Sequence, residues 1–427
     1  MKRRTLLQAS LLAGPLASAS LVGCAGISPA PARAQVVVVG GGYGGATAAK
    51  YVRLLSDRRI DVVLIEPEEA FVSCPGSNLV LGGNRTLADI TLPYDALTRR
   101  YGVIRVQSRA EAIDPQRKSV RLTDGTTIGY DKLVLATGID MMWDSVQGLQ
   151  AASAEGTILQ AWKAGAETLV LRRQLEAMPD GGVYAIAIPP TPYRCPAAPY
   201  ERACQVAYYF QQAKPRSKVL VLDANPDVTS KGPLFKRFWA DHYASTIEYR
   251  PNYRAEAVDA KAMTVTFEAG DMEHADVLNV LPDMRAGALA VQTGLANINK
   301  RWCGVDYLSF ESTVAPDIHV VGDSIMAAAV MPKSGHLANA QAKVAAAAIV
   351  AQLSGWEVNP QPLLTNTCYS FVDDRQAIRV TTVHQYVAAE KTYQPVAGSG
   401  GVSARPSELE GTYARNWAQN IWADTLL

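Results

Sequence analysis

Apolar, mostly β-branched runs recur along the chain and are separated by turn residues and helix-forming stretches. Such runs are typical of parallel strands that are covered on both faces. Strands are predicted at Gln35–Val39, 62–65, Lys132–Leu135, Val183–Ile188, 218–222 and 318–321, and helices at 46–55, 200–213 and 334–348. This alternation predicts an α/β fold built on parallel sheets.

A glycine-rich turn joins the first predicted strand to its helix. Gly40, Gly42 and Gly45 satisfy the G-x-G-x-x-G spacing of dinucleotide-binding turns. The first glycine permits the turn, the second lets the backbone approach a pyrophosphate, and the third lets helix and strand pack closely. Glu66 ends the second strand, where a ribose-binding acid is expected. We therefore predict that this turn binds a dinucleotide.

Two later strand ends favour FAD as this dinucleotide. One strand runs into Ala136-Thr137-Gly138 and another into Gly322-Asp323. Both turns resemble those of flavoprotein reductases with two dinucleotide domains, in which a second domain interrupts the FAD domain. The resemblance implies that Thr137 and Gly138 approach FAD and that Asp323 binds a ribityl hydroxyl.

The helix predicted at 334–348 follows the second of these turns. We expect its N-terminus to point to the flavin pyrimidine, where its partial positive charge and Lys333 favour the anionic reduced flavin. Alternatively, Lys333 is an ordinary surface lysine at a helix start.

A second βαβ unit, at 183–223, lacks the glycine turn. The loop at 189–199 contains five prolines, and no glycine occurs between Gly182 and Gly232. Proline has no N–H and a fixed φ, so this loop cannot bind a pyrophosphate as a glycine turn does. We therefore expect that a pyridine nucleotide does not reduce the flavin.

The chain is thus predicted to form two Rossmann-like dinucleotide-binding domains, of which the FAD domain is discontinuous, plus a C-terminal interface domain. The predicted segments are an export signal (1–34), the first part of the FAD domain (35–145), a second Rossmann-like domain without pyrophosphate glycines (146–282), the second part of the FAD domain (283–356) and the interface domain (357–427).

The formal charge of +1 includes four positive charges and no acid within residues 1–34. Removing these four leaves −3 for the rest of the chain, which argues against nucleic-acid binding. Lys2-Arg3-Arg4, an apolar stretch and Ala32-Arg33-Ala34 are typical of an export signal and resemble the twin-arginine type, so we expect a periplasmic protein. Leu21-Val22-Gly23-Cys24 resembles a lipoprotein box, which leaves open whether a lipid on Cys24 tethers the mature chain.

Six cysteines in 427 residues are too few for a disulfide scaffold. Neither Cys-x-x-Cys nor Cys-x-x-Cys-His occurs, so neither haem nor metal is expected in this chain. Cys204 and Cys303 are predicted to be buried core residues. Cys74 and Cys195 lie in loops, and Cys368 lies in a short polar segment.

Four parts of the chain resemble the flavoprotein subunit of flavocytochrome c sulfide dehydrogenase, a family related to sulfide:quinone reductases. They are Gly44-Gly45-Ala46-Thr47-Ala48-Ala49-Lys50-Tyr51, Arg194-Cys195-Pro196 with Pro199-Tyr200-Glu201-Arg202-Ala203, Met331-Pro332-Lys333-Ser334-Gly335, and Asn366-Thr367-Cys368-Tyr369-Ser370. The resemblance implies covalent attachment of FAD at Cys74 through its 8α-methyl group. It also implies a redox disulfide between Cys195 and Cys368, with Glu201 and Trp417 near the flavin.

The same resemblance implies that hydrosulfide attacks this disulfide and leaves a persulfide on one sulfur and a thiolate on the other. We expect Cys368 to lie nearer the flavin, Cys195 to take the sulfur, and Glu201 to carry protons unless it caps its helix or forms a salt bridge. A separate c-type cytochrome is expected to take the electrons. A membrane-associated sulfide:quinone reductase and a non-catalytic flavoprotein partner of a sulfur-oxidising complex are the alternatives.

Overall fold

The structure is a computed structural model that describes residues 33–427, of which Ala34–Leu427 form one compact unit. The predicted export signal, apart from its last two residues, lies outside the described residues, and so does Cys24. Within residues 33–427, no helix is both long and apolar enough to cross a membrane.

Residues 35–145 supply four parallel strands of a first sheet and two small antiparallel sheets. Val36, Val37 and Val38 are fully buried in the first of these strands, as its β-branched run predicts. The elements are β1 (Gln35–Val39), α1 (Tyr43–Leu55), β2 (Asp61–Ile65), β3 (Ala70–Val72), α2 (Ser77–Leu81), a 3₁₀ turn (Ala88–Ile90), β4 (Thr91–Pro93), α3 (Asp95–Tyr101), β5 (Ile104–Val106), β6 (Ala110–Asp114), β7 (Ser119–Leu122), β8 (Thr127–Gly129), β9 (Lys132–Leu135), β10 (Ile139–Met141) and a second 3₁₀ turn (Trp143–Ser145).

A second, parallel sheet follows, with the strand order β13-β12-β11-β17. The elements are α4 (Leu149–Ala154), α5 (Ala166–Ala177), β11 (Val183–Ile188), α6 (Ala198–Ala213), β12 (Lys218–Asp223), α7 (Gly232–His242), β13 (Ile247–Pro251), β14 (Ala255–Asp259), β15 (Thr264–Phe267), β16 (Met272–His274) and β17 (Val277–Val280). The strands β14, β15 and β16 form a separate antiparallel sheet, as β6, β7 and β8 do in the first segment.

The chain then returns to the first sheet. The elements are β18 (Met284–Ala286), α8 (Ala288–Gln292), β19 (Val305–Asp306), β20 (Glu311–Ser312), β21 (Ile318–Val320), a 3₁₀ turn (Gly322–Ser324) and α9 (Gly335–Ser354). Strand β21 pairs in parallel with β9, which completes the order β19-β20-β21-β9-β1-β2-β5. The first sheet is therefore discontinuous in sequence. The segment boundaries given above stay predictions, because residues 34–427 pack as one unit.

The C-terminal segment forms a further antiparallel sheet and a closing helix. The elements are β22 (Leu363–Phe371), β23 (Ala377–Val387), β24 (Thr392–Pro395), β25 (Gly401–Val402) and α10 (Glu408–Leu426). Cys368 lies inside the nine-residue strand β22, where the sequence indicates only a polar segment. Helix α10 packs on α1, and Lys50 donates to the carbonyls of Ala423 and Asp424 at 3.0 and 2.9 Å.

Candidate functional site

Two adjacent cavities are lined by residues of the first sheet's loops, of the loop and helix that follow β11, and of the C-terminal segment. The larger is bordered by the glycine turn before α1, by the ends of β2 and β9, and by the start of α9. The smaller lies between α6, β22 and α10. Five residues border both cavities: Cys74, Pro75, Arg194, Cys195 and Gly335.

The three glycines of the first turn have distinct geometries. Gly40 has φ +97°, and a Cβ there would lie 2.5 Å from the carbonyl oxygen of Ala136. A Cβ on Gly45 would lie 1.7 Å from the carbonyl oxygen of Gly40, so only glycine lets α1 pack on β1. A Cβ on Gly42 meets no atom within 4 Å, and this residue borders the larger cavity. The open cradle at the N-terminus of α1 therefore fits a pyrophosphate.

Two carboxylates border the same cavity. Glu66, at the end of β2, accepts hydrogen bonds from the backbone N–H groups of Gly41 and Glu68. Asp323 has its Oδ1 atom buried without a hydrogen-bond partner among the described residues. Burial raises the pKa of Asp323, against the opposing effect of Arg194 and Lys333. An unpaired buried acceptor of this kind fits a ligand hydroxyl, so the residues present suit FAD.

The other residues predicted to bind FAD differ in their placement. Gly138 borders the larger cavity with φ +67° and open space on its side-chain face. The Thr137 side chain does not border this cavity and instead lies 3.5 Å from the Ser324 hydroxyl. Lys333 is buried rather than a surface lysine, and its ammonium donates to the carbonyls of Asp323 and Ile325 and lies 3.7 Å from the Trp302 ring. The expected effect of Lys333 on the flavin stays a prediction. The contacts named here are all with other residues of the protein.

Cys195 is held in a strained turn between the two cavities. Its φ of +57° is in the left-handed region, and its N–H donates to the Lys333 carbonyl at 2.9 Å. Its carbonyl accepts from Ala198 N–H at 2.9 Å, at the start of α6. Burial raises the pKa of the Cys195 thiol, and the neighbouring Arg194 guanidinium is the strongest opposing influence.

Cys368 borders the smaller cavity from β22. Its sulfur contacts Asn366 Oδ1 at 3.4 Å, and the same oxygen accepts from Ser334, the N-cap of α9, at 2.7 Å. Burial raises the pKa of this thiol, and the Lys231 ammonium is the strongest opposing influence.

The five cysteines within residues 33–427 are free thiols, so the Cys195–Cys368 disulfide stays a prediction. Both thiols border the smaller cavity, but only Cys195 also borders the larger one. The expectation that Cys368 lies nearer the flavin stays a prediction, although only Cys195 borders the cavity that holds the glycine turn. The loop that carries Cys195 lines both cavities, whereas Cys368 on β22 lines only the smaller one. Cys204 and Cys303 are fully buried, as predicted.

Glu201 lies in the first turn of α6 but hydrogen bonds to other elements. One carboxylate oxygen accepts from Phe371 N–H at 2.8 Å, and the other accepts from Asn78 Nδ2 at 2.9 Å. Asn78 is itself held by Arg202, whose Nε donates to its Oδ1 at 3.0 Å. Burial raises the pKa of Glu201, so this carboxyl keeps its proton to a higher pH than an exposed glutamate does.

Trp417 and Cys74 complete the walls. Trp417 borders the smaller cavity with Tyr369 and His336, and its ring lies 6.1 and 5.8 Å from theirs, measured between centroids. It does not border the larger cavity. Cys74 borders both cavities, and its neighbour Ser73 forms a 2.7 Å hydrogen bond with Tyr43.

In the second Rossmann-like domain, the acid at the end of a strand is hydrogen-bonded within the domain itself. Asp223, at the end of β12, is fully buried and accepts from the hydroxyls of Tyr200 and Tyr249 at 2.6 and 3.1 Å. It also accepts from Asn225 N–H at 2.9 Å. In a nucleotide-binding domain this carboxylate would bind ribose hydroxyls. Together with the proline loop, these bonds disfavour a pyridine nucleotide here.

Arg194 and Lys231 are site residues that sequence reasoning missed. Arg194 adjoins Cys195 in the Arg194-Cys195-Pro196 segment, so its position could have been noticed. Lys231 is 137 positions from Cys368, and no local pattern brings the two together. Within residues 33–427, no group of three or more His, Cys, Asp or Glu side chains is arranged to hold a metal ion.

Three family models match the chain. Residues 34–167 match "Pyridine nucleotide-disulphide oxidoreductase", residues 168–282 match "Sulfide dehydrogenase [flavocytochrome c] flavoprotein chain, central", and residues 360–426 match "Flavocytochrome c sulphide dehydrogenase, flavin-binding". The last two models cover the Cys195 turn, Glu201, β22 and α10.

Curated relatives include both sulfide dehydrogenases and sulfide:quinone reductases. The chain is 63% identical over 46 residues to the sulfide dehydrogenase flavoprotein chain of Chlorobaculum thiosulfatiphilum, a match that covers 11% of this chain and 94% of that protein. It is 24% identical over 298 residues to the mitochondrial sulfide:quinone oxidoreductase of Dictyostelium discoideum, with 68% of this chain and 65% of that protein covered. The match thus spans slightly less than two thirds of the latter protein.

Among solved structures, the sulfide:quinone oxidoreductase of Aquifex aeolicus is similar, with a TM-score of 0.75. The similarity covers 92% of this chain and 91% of that chain at 19% sequence identity. At this identity it shows the fold, and it confirms the predicted α/β class.

Proposed function

This chain belongs to the family of flavocytochrome c sulfide dehydrogenase flavoprotein chains, and from that premise we propose that it oxidises hydrosulfide to sulfur or polysulfide through Cys195 and Cys368. The family is one of FAD-binding, sulfide-oxidising flavoproteins. The observation that carries the proposal is the meeting of the two cavities at Cys195, with Cys368 on the wall of the smaller one.

The placement of the cysteines favours one order of sulfur chemistry. Hydrosulfide enters the smaller cavity and forms a bond to Cys368 Sγ, while the bond between Cys368 and Cys195 breaks. The electron pair of the broken bond passes to Cys195 Sγ, where Arg194 stabilises the thiolate. Cys368 therefore takes the sulfur, which reverses the order expected from the sequence.

Proton transfer is assigned to Glu201. Its carboxyl borders the smaller cavity and has a raised pKa, so it can receive the proton of the bound sulfur. When bound in the larger cavity, FAD supplies an acceptor that takes two electrons and releases them one at a time. Gly42, Glu66, Gly138 and Asp323 would hold it there.

The proposed electron acceptor is a separate c-type cytochrome, and the proposed location is the periplasm. The family description names such a chain as the flavoprotein chain of a flavocytochrome c, which implies a cytochrome partner. Asp223, the acid that would bind a ribose, already accepts hydrogen bonds from Tyr200 and Asn225. Together with the proline loop, this supports an electron donor other than NADH. A membrane-associated sulfide:quinone reductase is the second candidate, favoured by curated relatives of that activity.

Anaerobic bleaching of the flavin by hydrosulfide tests the proposed role of the cysteines. Cys195→Ser and Cys368→Ser are each expected to abolish bleaching by hydrosulfide while dithionite still bleaches the flavin. Cys204→Ser is the matched control, because Cys204 is buried outside both cavities and accepts from Trp239 Nε1, as a serine hydroxyl can. Full bleaching in either of the first two variants overturns the proposal.

The attachment of FAD at Cys74 is a proposal with its own test. Cys74 borders both cavities, at the wall that they share. Acid-precipitated wild-type protein is expected to stay yellow, and Cys74→Ser is expected to release the colour into the supernatant. Loss of colour from the wild-type pellet would show non-covalent FAD.

A further inference from the structure

The segment that follows β12 contacts both redox-cysteine segments. Thr229 Oγ1 donates to the carbonyl of Pro196, the residue after Cys195, at 3.1 Å. Two residues later, Lys231 reaches β22. In a nucleotide-binding domain this segment would lie beside the ribose. Here it connects the Cys195 turn to the strand that carries Cys368.

Lys231 is a buried cation directly behind Cys368. Its ammonium donates to the Cys368 carbonyl at 3.1 Å and to Ser370 Oγ at 2.8 Å. The residue is 8% exposed and has φ +55° at the N-cap of α7. Its neighbour Ser230 borders the smaller cavity, whereas Lys231 lies behind the cavity wall. It can therefore act on the sulfur through charge and through the position of β22.

Lys231 opposes the other influences on the pKa of the Cys368 thiol. Glu201 accepts a hydrogen bond from the Phe371 N–H at the end of β22 and raises the pKa of the Cys368 thiol, as burial also does. Lys231 is the strongest influence in the opposite direction. Burial lowers the pKa of Lys231 to about 8, while Cys368, Glu201 and Cys195 favour its charged form. Cys195 has Arg194 as its own cation, so each redox cysteine has one.

We propose that Lys231 is a positioning residue that stabilises negative charge on the Cys368 sulfur during hydrosulfide oxidation. This inference rests on the proposed function. The step forms a bond from hydrosulfide to Cys368 Sγ, breaks the Cys195–Cys368 bond and places its electron pair on Cys195 Sγ. The new persulfide loses its proton to the Glu201 carboxylate, and Lys231 compensates the charge that remains on the Cys368 persulfide. A buried anion without such a partner is unfavourable.

The test measures the ionisation of Cys368 without sulfide turnover. Full-length, FAD-bound protein with both cysteines reduced is alkylated by iodoacetamide from pH 6 to pH 10, and peptide mass spectrometry quantifies modification at Cys368. Lys231→Met is expected to slow alkylation at neutral pH by about tenfold, which corresponds to a thiol pKa raised by about one unit. Lys231→Arg, which keeps the charge, is expected to behave as wild type within about threefold.

Two further variants separate charge from structure. Lys236→Met is the matched control, because Lys236 lies on the same helix, half-exposed and paired with Asp227 at 2.7 Å, and it should leave the rate unchanged. Lys231→Gln keeps a donor for the Cys368 carbonyl but removes the charge, so it should slow alkylation as Lys231→Met does. If Lys231→Met loses FAD, Lys231→Gln is the variant that tests the effect of the charge. A wild-type alkylation profile in Lys231→Gln overturns the inference.

The same proteins distinguish failure of this inference from failure of the proposed function. If hydrosulfide does not bleach the wild-type flavin while Lys231→Gln still slows alkylation, the proposed function fails and the electrostatic role of Lys231 stands. If the wild type is bleached and the Lys231 variants match it in both measurements, only this inference fails.

Discussion

At the scale of single residues, the site contains carboxyl groups and thiols whose ionised forms burial disfavours. Asp323, Glu201, Cys195 and Cys368 all have raised pKa values with burial as the largest cause. Each has a nearby cation that acts in the opposite direction. Such opposed influences are typical of groups that change protonation or charge during a reaction.

Asp323→Asn tests the unpaired oxygen in the larger cavity. The pKa of Asp323 is raised in the folded state, so its ionised form destabilises the fold. The stability that the protonated carboxyl gives is present at low pH and is lost as pH rises through that pKa. The variant apoprotein, prepared in a Cys74→Ser background, is therefore expected to be more stable than its parent at pH 8 by about 1 kcal/mol. Its affinity for FAD should fall by about tenfold, because the ribityl hydroxyl loses a charged acceptor. Thermal melts and FAD titration measure both, and unchanged FAD affinity contradicts the assignment.

Glu201→Gln tests proton transfer in the smaller cavity. With a raised pKa, Glu201 is protonated at acidic pH, and the rate of bleaching by hydrosulfide should fall as the solution is acidified through that pKa. The variant is expected to lose the part of this acidic limb that Glu201 causes, to keep the part that protonation of hydrosulfide itself causes, and to bleach about 100-fold more slowly at neutral pH. Stopped-flow absorbance at each pH measures the rate, with bleaching by dithionite as the control. A wild-type pH profile in the variant would leave Glu201 with a structural role only.

At the scale of elements, different glycines of the turn between β1 and α1 serve folding and cofactor binding. Gly45 is required by packing, since its added Cβ would overlap the Gly40 carbonyl. Gly42 has no such neighbour and faces the larger cavity. Its φ of −68° is accessible to alanine.

The pair Gly42→Ala and Gly45→Ala is expected to separate these roles. Gly42→Ala apoprotein, again in the Cys74→Ser background, should melt within about 2 °C of its parent, a small change for a chain of this size. It should bind FAD at least tenfold more weakly because the methyl group occupies space for the pyrophosphate. Gly45→Ala should destabilise the fold itself by about 3 kcal/mol, which is typical of overpacking in a core. Equal effects of both substitutions on melting would contradict this division.

Elements with strong local patterns could be predicted from sequence, and those defined by tertiary contacts could not. The run at Val183–Ile188 is a strand with the predicted bounds, and the first sheet is interrupted as the turns at Gly138 and Asp323 indicate. Strand β22 has buried polar residues such as Asn366 and Ser370 in place of an apolar run, because its partners are other side chains of the site. The cation behind Cys368 was missed for the same reason, since only the fold brings α7 to β22.

In the molecule as a whole, three segments of the chain line two adjacent cavities. The discontinuous sheet supplies the larger cavity, the second Rossmann-like domain supplies the Cys195 turn and Glu201, and the C-terminal segment supplies Cys368 and Trp417. No one segment contains the complete site.

Anaerobic turnover with hydrosulfide tests whether electrons leave the molecule to a separate cytochrome. Purified FAD-bound protein is mixed with hydrosulfide and either a c-type cytochrome or a soluble quinone, and reduction of each acceptor is followed by absorbance. We predict that the wild type reduces two cytochrome haems for each hydrosulfide consumed, that Cys368→Ser reduces none, and that quinone is reduced at least tenfold more slowly. Rapid quinone reduction without cytochrome reduction would instead identify a sulfide:quinone reductase and contradict the proposed cytochrome acceptor.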